Sequence, residues 1–213
     1  MVPNPFHSLR FLVVDDNAHM RRIVRTLLYG FGCREVFEAQ DGGDAWETFN
    51  QVLPDFLIVD WQVPILDGVE LAKMIRQADG HSKRHAAIIM LSCHTEKPRI
   101  ELARDAGIHE FLAKPVSAKA LHQRIESLVH NPRTFIQTST YYGPDRRRSL
   151  NAGYSGPERR GAGRCVRIDP PSRIEMSRPG PKSRKSYVNS AGPEKTAAAE
   201  YVVLDESSVP SRA

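Results

Sequence analysis

Between residues 9 and 130 the chain switches repeatedly between a short apolar run and a longer stretch of helical periodicity. This alternation limits the fold more than any other feature. Residues 9–14 form a short run, apolar but for Arg10, that ends in Asp15-Asp16. Met20, Ile23, Val24, Leu27 and Leu28 then form an i, i+3, i+4, i+7, i+8 stripe with arginines on the other face, closed by Gly30 and Gly32. Strands are expected over 35–39, 55–59, 86–91 and 110–113, with helices beginning near Asp41, at Gly68, around 97–106 and after the cap residue Ser117. Strand–helix pairs in strict succession predict a parallel sheet covered on both faces. The unbroken apolar runs Leu57-Ile-Val59 and Ile88-Ile-Met-Leu91 agree, because such strands are buried on both sides. Residues 1–130 therefore read as one doubly wound α/β domain.

The composition changes at residue 131. Residues 1–130 hold 15 Lys+Arg against 17 Asp+Glu, whereas 131–213 hold 15 against 8, so the pI of 9.2 belongs to the second segment. That segment also carries nine of the 15 prolines, and its sparse apolar residues cannot offset the entropy of ordering it. It reads as a basic, mostly disordered tail. Within it Tyr141-Tyr-Gly-Pro-Asp-Arg-Arg147 and Tyr154-Ser-Gly-Pro-Glu-Arg-Arg160 share the pattern Tyr-x-Gly-Pro-acid-Arg-Arg, which reads as a paired linear motif.

No apolar run approaches the roughly 20 residues of a membrane helix, and residues 1–10 lack the apolar core of a signal peptide. Three dispersed cysteines without a CxxC fit reduced thiols and a cytoplasmic location. His81 and His85 have helical spacing, but their polar surroundings argue against a metal site.

In an open parallel sheet, ligands bind beyond the carboxyl ends of the strands. Those ends deliver Asp15 and Asp16 after the first strand and Asp60 after the third. Ser92 follows the fourth and Lys114 the fifth. Clustered carboxylates need a cation to relieve their repulsion, and hard oxygen ligands suit Mg²⁺. A carboxylate in that setting can attack phosphorus and form an acyl phosphate, with a lysine and a hydroxyl balancing charge on the transferred group. The chain has neither GxxxxGK[ST] nor GxGxxG, so the donor is not expected to be a bound nucleotide.

Phe11-Leu-Val-Val-Asp-Asp16, Met20-Arg-Arg-Ile-Val-Arg25, Val59-Asp-Trp61, Asp67-Gly68 and Lys114-Pro115 together resemble the receiver domain of two-component response regulators, above all chemotaxis regulators of the CheY type. The resemblance spans residues 9–130 and not the tail. It implies a flavodoxin-like (βα)5 fold with Asp60 as phospho-acceptor. It also implies Mg²⁺ held by Asp15, Asp16, Asp60 and the main-chain carbonyl of Gln62. Lys114 would contact the phosphoryl group, with Pro115 in the cis form. Ser92 would be the switch hydroxyl and Phe111 the switch aromatic, although spacing fits an ordinary edge-strand aromatic equally well. Ser92 and Phe111 stand where chemotaxis regulators have Thr and Tyr, Gln62 replaces an Asn, and Asn17 replaces an aromatic. His94 lies two residues after Ser92. Gln62 and His94 border the path of hydrolytic water, so the lifetime of the phosphorylated state does not carry over from the family.

The implied partners are a sensor histidine kinase and a target protein read on the face of helix four, strand five and helix five. Helix four is thinly apolar (Ile100, Leu102, Ala106), which fits an interaction surface and a solvated helix equally. The result is a signalling switch whose only chemistry is its own phosphotransfer and dephosphorylation, with chemotaxis or motility as the suggested pathway. The alternative makes the tail the output. Residues 133–185 carry 13 Lys+Arg against four acids, and arginines beside tyrosines suit nucleic acid or another polyanion.

Overall fold

The computed structural model describes residues 4–78, 84–146 and 166–168. The first strands and helices alternate as β1 (Arg10–Val14), α1 (Ala18–Gly30), β2 (Glu35–Ala39), α2 (Gly42–Val52), β3 (Phe56–Asp60), α3 (Gly68–Gln77), β4 (Ala87–Ser92), α4 (Lys97–Asp105), β5 (Glu110–Ala113) and α5 (Ala118–His130). Strands β1 to β5 form one parallel sheet in the order β2-β1-β3-β4-β5. This is the doubly wound arrangement that the sequence pattern predicts, with boundaries shifted by a residue or so.

The two-residue period of the strands sorts the core into two layers. Leu12, Val14, Leu57, Val59, Ile88 and Met90 face one way, against Ala45 and Phe49 of α2, Leu71 and Ile75 of α3, and Ala103 of α4. Phe11, Val13, Phe56, Ile58, Ile89 and Leu91 face the other way, against Val24 and Leu28 of α1 and Leu121, Ile125 and Leu128 of α5. Local chemistry starts the helices where the strands stop. Asn17, Asp41 and Ser117 accept backbone N–H groups as N-caps, and Asp67 with Glu70 forms a capping box at α3. Each such cap contributes about 1 kcal/mol.

The sequence reading ends the domain at residue 130, but the chain continues along the domain surface through residue 146. Strands β6 (Phe135–Gln137), β7 (Tyr142–Pro144) and β8 (Val166–Ile168) form a second, antiparallel sheet in the order β7-β6-β8. The β6–β7 hairpin covers the region where β4 and β5 begin and α3 and α4 end. Phe135, Ile136 and Tyr142 are buried there. The Phe135 ring meets His85 edge-on at 4.6 Å and lies 5.4 Å from the Arg76 guanidinium. Tyr142 carries the Arg84 guanidinium 3.8 Å from its ring centre and its hydroxyl 3.0 Å from His85 Nε2. Arg133 and Arg124 clamp the buried Glu110 carboxylate at 2.6 and 3.1 Å. Arg76 is itself buried and donates to the carbonyls of Gly107, Ala86 and Arg84, so carbonyl oxygens rather than a carboxylate satisfy it. Burial pulls its pKa below the usual guanidinium range.

The first copy of the repeated motif begins at the end of the hairpin turn and supplies its second strand, β7. Tyr141 donates its hydroxyl to the Pro144 carbonyl at 2.9 Å, folding its ring over Gly143. The Arg146 guanidinium stacks 4.2 Å from that ring and pairs with Asp105 at 3.1 Å. Tyr141, Gly143, Pro144 and Arg146 of the motif are thereby accounted for by folding. The second copy, and the disorder expected of the rest of the tail, lie outside the described residues.

Candidate functional site

The carboxyl ends of β1, β3, β4 and β5 meet at one edge of the parallel sheet. Asp15 and Asp60 are buried and Asp16 is exposed, yet one carboxylate oxygen from each lies within 4.8 Å of the others. Lys114 reaches in from the end of β5. Its Nζ donates to Asp15 Oδ2 at 2.7 Å and pairs with Asp60 Oδ1 at 3.0 Å. Ser92, fully buried at the end of β4, accepts the His94 backbone N–H on its Oγ at 3.0 Å. The Lys114–Pro115 peptide is cis, as the resemblance implies.

The electrostatics follow from this packing. Burial pushes the Asp60 carboxyl above its ordinary value, and the neighbouring Asp15 charge adds to that, while Lys114 and the Trp61 N–H oppose it. Burial works against the Lys114 ammonium, but its bonds to Asp15 and Asp60 outweigh that and hold it above the usual lysine value. A lysine thus acts as internal counter-ion to two carboxylates, which leaves the ionised three-acid cluster two charges short of neutral. Three carboxylates converging with hard oxygen donors and a surplus negative charge fit a divalent cation such as Mg²⁺. Asp15, Asp16 and Asp60 supply side-chain oxygens, and Gln62 follows in the exposed loop after β3.

The loop between β3 and α3 owes its path to Gly68. A Cβ there would stand 2.4 Å from the Asp60 carbonyl, so any side chain would push the acceptor loop outward. Trp61, next to Asp60, donates its N–H to Asp60 Oδ1 and to the Leu91 carbonyl, both at 2.9 Å. Its ring packs edge-on against Phe111 with centroids 6.4 Å apart, and Arg99 of α4 lies 5.2 Å from it. Phe111 is half-buried, packed against the core layer that holds Trp61.

The structure therefore brings Asp15, Asp16, Asp60 and Lys114 into one cluster. It sets Ser92 at the adjoining strand end and Phe111 one ring away through Trp61. His85 is engaged by Phe135 and Tyr142, and His81 lies outside the described residues. Sequence reasoning misses Arg21, grouped with the solvated face of α1, whose guanidinium folds back onto the backbone of the acidic pair. Its spacing, one helical turn past Asn17, is the only signal that points there.

Residues 11–126 match the family model of the response regulator receiver domain. The chain is 33% identical over 120 residues to the chemotaxis protein CheY of Pseudomonas aeruginosa, covering 56% of this chain and 95% of that protein. It is 34% identical over 119 residues to CheY1 of Helicobacter pylori, covering 55% and 94%. Among solved structures, a putative response regulator from Chloroflexus aurantiacus superposes with a TM-score of 0.53 at 30% identity, covering 56% of this chain and 96% of that one. CheY4 of Vibrio cholerae gives 0.52 at 26% identity, covering 55% and 96%. With the fold, the acidic cluster and these matches in agreement, the chain belongs to the response regulator receiver domain family.

Proposed function

We propose that the chain is a two-component response regulator that accepts a phosphoryl group on Asp60 from a phosphohistidine of a sensor histidine kinase. The observation that carries this reading is the Lys114 ammonium bridging Asp15 and Asp60 beside Asp16 at one sheet edge. In the transfer, an Asp60 carboxylate oxygen attacks phosphorus as the bond to the histidine nitrogen breaks. A bound Mg²⁺ would supply charge neutralisation for the phosphoryl oxygens. Lys114 offers a second cation to those oxygens, and the Ser92 hydroxyl is at hand to donate once it turns from the His94 N–H. Phe111 adjoins Trp61 and so follows changes at the acceptor.

The phosphorylated form is read by a target protein on the face of α4, β5 and α5, where Ile100 and Leu102 are exposed. Receiver domains are signalling switches, and this one has no substrate beyond its own phosphoryl group. The likeness to chemotaxis proteins supports a cytoplasmic role in motility. Polyanion binding by the tail gains nothing from its described part, because Tyr141, Tyr142, Arg133 and Arg146 are all engaged within the chain.

The test is incubation with acetyl phosphate and Mg²⁺, read by intact-mass spectrometry. A single adduct of about 80 Da is the product of an aspartyl-phosphate route. The adduct is expected in the unaltered chain and absent in Asp60→Asn. An adduct that persists in Asp60→Asn overturns Asp60 as the acceptor.

A further inference from the structure

We propose that Arg21 is a positioning residue for the metal-binding carboxylates, acting through the backbone of the acidic pair; this rests on the receiver reading above. Arg21 lies on the first turn of α1. Its Nη1 donates to the Asp15 carbonyl at 2.7 Å and to the Asp16 carbonyl at 3.3 Å, while its Nε donates to Glu38 Oε2 at 3.3 Å. Glu38 stands near the end of β2 and is held from its other oxygen by Arg25. The next residue, Ala39, accepts the Asp15 N–H at 3.3 Å. One guanidinium thus ties two consecutive carbonyls of the β1–α1 loop to the neighbouring strand.

The two acids depend on this clamp to different degrees. Asp15 is buried and its carboxylate is gripped by Lys114 and by the Asn17 N–H. Asp16 is exposed, so the direction of its carboxylate is set through its backbone, where Arg21 binds. Loss of the clamp leaves Asp15 held through Ala39, Lys114 and Asn17, but removes the tie at the Asp16 carbonyl. A surface ion pair with Glu38 would by itself be worth little. The bonds to the two carbonyls make Arg21 more than that, because they fix groups next to a site where small displacements cost affinity.

A second effect runs the other way. A guanidinium near a cation site repels the cation, so removing it would tighten Mg²⁺ binding if the field alone mattered. Arg21 is paired with Glu38, which cancels most of that field, so positioning outweighs repulsion. The two effects predict opposite signs, and the experiment reads the sign.

In the full-length chain, Mg²⁺ is titrated while Trp61 emission is followed in a Trp46→Phe background, which leaves Trp61 as the only indole. Arg21→Met is expected to weaken the midpoint about tenfold, in line with losses at groups that orient metal ligands. Arg21→Lys keeps the charge but cannot span both carbonyls, and is expected to fall between the two. Glu38→Gln loosens the anchor and is expected to weaken binding in the same direction; it and Arg21→Lys decide the matter if Arg21→Met does not fold. Thermal unfolding without metal separates a general loss of stability from a loss of affinity. An unchanged or tighter midpoint in the Arg21 variants overturns the proposal. Absence of any Mg²⁺ response in the parent chain overturns the receiver reading itself, before a variant is compared.

Discussion

The backbone of Gly143 passes so close to Gly107 that a Cβ on Gly143 would lie 3.1 Å from the Gly107 Cα and 2.5 Å from the Tyr141 hydroxyl oxygen. Gly107 is the positive-φ residue that ends α4 and leads to β5. The motif in the tail is therefore fitted to a specific turn of the receiver. Gly143→Val should force the hairpin away from that turn. The expected cost is about 1–3 kcal/mol, the range for overpacking a fitted contact, seen as a lower midpoint in thermal unfolding. An unchanged midpoint would mean that the hairpin does not hold to the receiver in solution.

A chain ending at residue 131 loses Phe135, Ile136 and Tyr142 together with Arg133. Arg76, His85 and His109 then lose the rings that cover them. Such a chain should unfold at a temperature roughly 5 °C or more below one ending at residue 147, the scale set by one or two kcal/mol in a domain of this size. Equal midpoints for the two would remove the hairpin from the domain.

His109 makes stability depend on pH. Its Nδ1 accepts the Ile88 N–H at 3.1 Å, and its ring is buried beneath Phe135. Burial, with the charges of Arg76, Arg133 and His85 nearby, holds its pKa well below the ordinary 6.5. The unfolded chain thus binds a proton at His109 that the folded chain refuses. Its contribution is complete above pH 6.5 and is lost as pH falls, at up to about 1.4 kcal/mol per pH unit. Asp55 runs the opposite way, because burial raises its pKa to about 6 and acid relieves that penalty. Denaturant unfolding from pH 7.5 to 5 should give a shallower fall for His109→Asn, which keeps an acceptor for Ile88, than for the parent. Parallel curves would exclude His109 as the source.

Ile65 sits in the loop after the acceptor with φ of 71° and 82% of its surface exposed. A β-branched residue in the left-handed region costs roughly 1–2 kcal/mol, and exposure returns little of it. Ile65→Asn should raise stability by about 1 kcal/mol in denaturant unfolding, since Asn tolerates that region. A loss of stability would show that Ile65 makes contacts that repay its strain.

The parts of this molecule that were legible in the sequence are those where one local period dominates. The runs Leu57-Ile-Val59 and Ile88-Ile-Met-Leu91 admit only a strand buried on both faces, and strand ends carry Asp15, Asp60 and Lys114 to one edge by topology alone. The β6–β7 hairpin was not legible, because Phe135-Ile136 and Tyr142 stand apart in a polar stretch with no repeating period. Its partners are Arg76, Arg84, His85 and Glu110, residues that look like solvated surface until a ring is laid over them. The Arg21 clamp was hidden for a related reason: the stripe of α1 assigns its arginines away from the core but not toward Glu38 on another strand.

Because β6 lies between β7 and β8, the chain that leaves after Arg146 comes back to the same small sheet at Val166. The small sheet thus has β6 at its centre, paired with β7 along one edge and with β8 along the other. Were the chain cut after Arg146, β8 would be held to β6 by its hydrogen bonds alone, while the β6–β7 pair would stay covalently joined to the receiver.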